Sequence, residues 1–130
     1  MLPDISTRAH IELLMERFYA QAIPDAEIGH FFTQVAPLHL PSHLPIIADF
    51  WESILLQKPG VYTRNAMQPH LQLHHKSPIM PQHLQRWVQL FSQTVDSLFE
   101  GPTATLAKQR AQSIATLMQI KINQIATPSL

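Results

Sequence analysis

The chain contains no cysteine at all among its 130 residues. Disulfides, thiolate-bound zinc, iron–sulfur clusters and thioether attachment of a prosthetic group are therefore excluded together. Charge is also sparse. Charged residues make up 14% of the sequence, with nine Lys and Arg against nine Asp and Glu. No run of basic residues occurs, which argues against nucleic acid or an anionic membrane surface as a main partner, because both demand a basic footprint. No stretch approaches the ~20 apolar residues that a membrane span requires. Met1-Leu2-Pro3-Asp4 has neither the basic nor the apolar region of a signal peptide. These absences lead us to expect a soluble, cytoplasmic protein.

Apolar residues are plentiful at 45%, enough to bury a sizeable core in a chain of this length. One domain over 1–130 is expected, with its core between about 5 and 125 and the last few residues disordered. Histidine, at eight copies, points to metal or proton chemistry. Proline, at eleven, points to helices cut sharply by turns.

The apolar periodicity is helical throughout. Ile11, Leu14, Met15, Phe18, Tyr19 and Ala22 form one stripe, which Asp4 or Ser6 can cap and Pro24 stops. A short second helix carries Ile28, Phe31, Phe32 and Val35. Ala36 to Pro41 reads as a corner. A third stripe, His43, Ile46, Ile47, Phe50, Trp51 and Ile54, is expected to start at Ser42, with Pro45 as its third helical residue. Residues 62–81 leave room for about two turns around Met67 to Leu73. Pro81 then opens a long helix bearing Leu84, Trp87, Val88, Phe91, Val95, Leu98 and Phe99, closed by Gly101 and Pro102. A last helix carries Leu106, Ala111, Ile114, Ala115, Met118, Ile122 and Ile125. With no alternating strand pattern, the fold class is all-α.

Taken together, these stripes enclose an apolar space walled by Phe, Ile and Trp. His70 approaches it from one side, and Tyr19 and His43 from the other, with Trp87 facing inward. A flat iron macrocycle fits such a space, since haem needs apolar walls, one neutral imidazole as axial ligand, and room beside a hydrogen-bond donor on its far face. Other readings remain open at this point. Tyr19 and Trp87 also read as plain core residues, and His43 as a solvated one. A non-haem metal site in a helical bundle has only Glu27-x-x-His30 in its favour. A helical interaction module without cofactor would leave the histidines unexplained.

Several motifs resemble the group III truncated haemoglobins. They are Phe18-Tyr19, the spacing of His43 to Phe50-Trp51, Tyr62 followed eight residues later by His70-Leu71, and Gln85-Arg86-Trp87-Val88-Gln89-Leu90-Phe91 running into Thr94-Val95-Asp96-Ser97-Leu98-Phe99-Glu100-Gly101 and Arg110-Ala111. The likeness runs from about Phe18 to Met118, and departs from the family at Leu40, where a tryptophan is expected, and at Arg64 and Ala66 flanking Asn65. It implies a shortened globin, a two-over-two helical sandwich around haem b, binding dioxygen or another diatomic gas. It implies His70 as the iron ligand, with Tyr19, His43 and Trp87 on the distal side. Phe32 and Ile47 match ring-packing and distal-wall positions, and Phe50 and Tyr62 complete the cofactor contacts. Peroxidase-like or nitric-oxide-detoxifying chemistry is the alternative activity. A reductase partner is left open, and a monomer or weak dimer is expected. His74 and His75 read as exposed loop residues, and His10, His30, His39 and His83 as surface residues. Arg64 and Lys76 are placed to meet haem propionates.

Overall fold

The computed structural model describes residues 1–37, 39–60, 62 and 66–126, the side chains of 125 and 126 excepted. The expectations for Arg64 and Asn65, for the Ile125 side chain and for the last four residues lie outside that description. Among the described residues five α-helices occur: α1 (Arg8–Ala22), α2 (Leu40–Leu55), α3 (Met67–Lys76), α4 (Pro81–Leu98) and α5 (Pro102–Ala126). A single π-helical turn, Phe31–Val35, lies between α1 and α2.

Helix α1 buries the six residues of its predicted stripe. Its N-cap, however, is Thr7, whose hydroxyl accepts the His10 amide at 3.2 Å. Asp4 caps a different helix. The N-terminal segment runs beside the α4–α5 corner, where Glu100 N donates to Pro3 O at 2.9 Å and Ile5 is 1% exposed. The Asp4 carboxylate there accepts the Thr103 and Ala104 amides at 3.0 and 2.8 Å. An anion is favoured at that helix N-terminus. Burial works to raise the Asp4 pKa, but the amides of Thr103, Ala104 and Ile5 prevail and hold it below the usual carboxylate value. Gly101, at φ +141°, permits this approach, because a Cβ would come within 2.6 Å of the Asp4 carboxyl carbon.

The third predicted helix begins three residues early. His39 is the N-cap, Leu40 the first helical residue, and Pro41 sits in the first turn. That turn tolerates Pro41, because its missing N–H would have had no intrahelical partner. Pro45 therefore falls inside the helix instead of at its third residue, and the Pro41 carbonyl loses its i+4 donor. Arg8 reaches across from α1, donating to Pro45 O at 3.2 Å and pairing with Asp49 at 2.6 Å and Glu52 at 3.3 Å. These partly exposed contacts set how α2 lies on α1 more than they add stability.

Two layers result. Helix α1 packs on α2, α4 packs on α5, and α1 crosses α4 to join the layers. One groove is lined by Leu84 and Val88 from early α4 and Ala115 and Ile120 from late α5, so these two helices run antiparallel. Phe91 and Met118 are buried as expected, but Leu98 and Ile114 are only half buried. Along α5 the buried residues include Ala104, Ala107, Ala111 and Ala115, the last of them beside Leu84 and Val88 of α4. Small side chains bring the helix axes close and push the larger residues to the edge. At the centre of the core, Phe91 stacks on Trp51 at 4.8 Å and on Trp87 at 5.8 Å, and Phe18 meets it edge-on at 5.7 Å.

Candidate functional site

Helix α3 has no fully buried side chain, and its first-turn Pro69 suits a helix start. His70 sits on its exposed side, and its Nδ1 lies 2.6 Å from the Ala66 carbonyl oxygen. A carbonyl can only accept, so Nδ1 carries the proton and Nε2 keeps a free lone pair. That is the tautomer a metal-binding imidazole requires, with the other ring nitrogen fixing its orientation. His74 is the opposite case. Its Nδ1 accepts the Ile79 amide at 2.9 Å, so its Nε2 is protonated and closed to a metal. His74 and His75 lie in the last turn of α3 rather than in a loop, and His74 is half buried. Lys76 is the exposed last residue of α3.

The other expected residues come from three further elements. Tyr19 is 9% exposed, and its ring meets Phe32 edge-on at 5.6 Å. Its hydroxyl makes no hydrogen bond to any described residue, and burial pushes its pKa well above the usual phenol value. It therefore stays protonated and able to donate. Trp87 is half buried, edge-on to Phe18 at 6.2 Å, and its indole N–H has no partner among the described residues. Phe50 meets Tyr62 at 5.2 Å, and Ile47, Phe50 and Phe32 are half buried. His43 is exposed in the first turn of α2. Tyr19 pairs with Phe32, Trp87 packs beside Phe18, and Phe50 pairs with Tyr62. Neither His43 nor His70 makes a ring contact with Tyr19, Phe32, Phe18, Trp87 or Phe50, although α3 packs against the π-helical turn that carries Phe32. The α4–α5 groove, about 250 Å³, contains none of these residues. Among the described residues, no three His, Asp or Glu side chains gather in a way that could hold a metal ion.

Sequence reasoning missed two polar clusters at the corner between α1 and α2. Arg86 and Asp25 pair at 2.8 Å. His30 and His83, read as separate surface residues, instead flank the buried Phe31 ring at 4.2 and 5.1 Å. The two imidazoles lie 5.8 Å apart. His83 Nδ1 accepts the Met80 amide at 2.9 Å, which satisfies an open donor at the start of α4. Burial, then the neighbouring His30, hold His83 below its usual 6.5, and Glu27 opposes this only in part. A lowered histidine pKa favours the neutral form in the fold. Its contribution is complete above 6.5 and declines as pH falls towards the folded-state value. Urea midpoints at about pH 7.5 and about pH 5.5 should therefore drop further in the native chain than in His83→Gln. Equal drops would show that His83 does not carry this acid sensitivity.

No helix among the described residues is long and apolar enough to cross a membrane. No protein-family model matches the chain. It is 28% identical over 112 residues to group 3 truncated haemoglobin ctb of Campylobacter jejuni, covering 84% of this chain and 85% of that protein. The crystal structure of group III truncated haemoglobin from Campylobacter jejuni superposes with a TM-score of 0.80 at 25% identity, over 94% of this chain and 95% of that one. In layers, helix order and sequence, the chain has a truncated-globin fold and resembles the group III truncated haemoglobins.

Proposed function

We propose that this chain is a haem-binding globin that reversibly holds a diatomic gas, dioxygen among its ligands. The observation that carries the reading is the His70 Nδ1 hydrogen bond to Ala66 O, which leaves Nε2 with a free lone pair. The residues also fit the group on the other side. Tyr19 offers a protonated hydroxyl without a partner among the described residues, and Phe32, Ile47, Phe50 and Trp87 present half-buried apolar surface. The names of the two similar proteins support the same cofactor.

When bound, haem would supply an iron able to bind a small gas. His70 would hold the iron in this reading, and Tyr62 and Phe50 would help to wall the ring. Tyr19 and Trp87 act as distal donors. His43, exposed in the first turn of α2, is the third distal residue in this reading. Haem b, a single domain over 1–130, a cytoplasmic location and a monomer or weak dimer belong to the same reading. Two donors on the distal side make it polar, and a polar pocket favours activation of a bound ligand over storage. Peroxidase-like or nitric-oxide-detoxifying turnover, with electrons from a reductase, is therefore the second reading.

Dioxygen held in such a pocket carries partial negative charge, whereas carbon monoxide carries little. A hydrogen bond to a charged acceptor is worth about 1.5–3 kcal/mol. Losing one should speed dioxygen release roughly ten- to a hundredfold, at 1.4 kcal/mol per decade. Tyr19→Phe and Trp87→Phe should each produce that change in stopped-flow displacement, with much smaller changes for carbon monoxide. Equal changes for both gases would show altered access instead of lost polarity. No change for either would remove both residues from the site.

A further inference from the structure

The gas-binding reading uses Trp87 but gives no role to its neighbour Arg86, although both belong to the same recognisable run. The surroundings of Arg86 are specific. Its Nε and Nη2 both donate to Asp25 Oδ1, at 3.0 and 2.8 Å, and its Nη1 donates to Gln89 Oε1 at 2.7 Å. The Asp25 side chain is 7% exposed. Its other oxygen accepts the Glu27 and Ile28 amides at 3.1 and 3.2 Å. The Asp25 backbone closes the same turn, accepting from Gly29 N at 2.9 Å and donating to Ala22 O at 3.2 Å. Arg86, acting first, and then the two amides hold the Asp25 carboxyl below its usual range against the pull of burial.

That turn joins the end of α1, one helical turn past Tyr19, to the π-helical turn that carries Phe32. It is stiff. Ile28 is buried, and any Cβ at Gly29 would run into the Ile23 carbonyl. The pair thus fastens the Tyr19 and Phe32 elements to α4 one residue before Trp87. We propose that Arg86 and Asp25 are positioning residues for the distal face, fixing how far the Trp87 indole stands from the Tyr19–Phe32 pair. This deepens the gas-binding reading and rests on it. An arginine is suited to the task, because its planar fork fixes direction where a lysine gives only a point charge.

The test uses Arg86→Lys and Asp25→Asn, with Lys108→Gln as a control that breaks the surface pair to Asp96. The chain has two tryptophans, so in a Trp51→Phe background Trp87 alone emits. Without haemin, both variants should shift that emission to the red and raise its quenching by acrylamide, and the control should not. If Trp51→Phe does not fold, the same shift is read as a difference spectrum against the native chain. After haemin loading, dioxygen release should quicken about three- to tenfold, less than the ~hundredfold that an ångström of misplacement can cost. Carbon monoxide release should change by less than about twofold. A lowered unfolding midpoint with native Trp87 emission and a native ratio of release rates would overturn the proposal, since the pair would then only stabilise the fold. A native chain that takes up no haemin sinks the gas-binding reading alone. The emission shift in the unloaded protein would still establish that the pair positions Trp87.

Discussion

His70→Gly is expected to abolish the native axial bond and most of the protein's grip on haem. In the fold, the His70 imidazole is held in one tautomer by the Ala66 carbonyl, which leaves its Nε2 lone pair free, whereas His74 spends its Nδ1 lone pair on the Ile79 amide. With haem bound, removing the ring would leave a gap between α3 and the iron, and α3 has no fully buried side chain to move into it. Free imidazole should therefore enter the gap and restore the axial bond, seen as recovery of the native absorption and iron–histidine stretching bands. His75→Ala should leave both unchanged. His74→Ala should also keep the axial bond, but it removes the acceptor for the Ile79 amide and should cost about 0.5–1.5 kcal/mol of stability. If His74→Ala abolishes the axial bond and His70→Gly does not, the tautomer argument is wrong.

Phe91→Ala should be the most destabilising truncation in the core. Phe91 is 1% exposed and lies within aromatic contact of Trp51, Trp87 and Phe18, which come from three different helices. None of these rings can fill the space without leaving its own contacts, so the cavity should persist. A loss of about 3–5 kcal/mol is expected for such a truncation in denaturant unfolding. Because Trp87 rests on the Phe91 face, the variant should also quicken dioxygen release after haemin loading. A loss below about 1 kcal/mol would mean that the three rings do not depend on Phe91.

Much of this was legible in the sequence because helices write their burial at a fixed period. The α1 stripe from Ile11 to Ala22 is reproduced residue for residue. Pro81 and Gly101-Pro102 bracket α4 as turn chemistry dictates. Where the period competed with a second rule, the boundary moved. Pro45 argued for a helix starting at Ser42, yet Pro41 fits a first turn well enough for α2 to begin at Leu40 and lose one hydrogen bond inside. That shift coincides with the departure from the family pattern at Leu40.

The residues that were not legible are those whose partners lie far away in the chain. Asp4 caps α5 across about a hundred residues, and Arg86 finds Asp25 across 61. His30 and His83 meet only because Phe31 lies between them. Nothing local marks such pairs. The Glu27-x-x-His30 spacing falls at the same corner, but no three His, Asp or Glu side chains gather there among the described residues to hold a metal ion. The tautomers of His70 and His74 were equally hidden, because each is decided by one backbone group that only the fold brings near.

The central claim is that the chain takes haem through His70. Titrating the unloaded chain with haemin, followed by absorption, tests it most directly. One equivalent per chain should saturate a sharp Soret band in the native protein, and His70→Gly should lose that band until imidazole is added. A native chain that shows no saturable Soret band, or a His70→Gly chain that retains the native band without imidazole, would contradict the account.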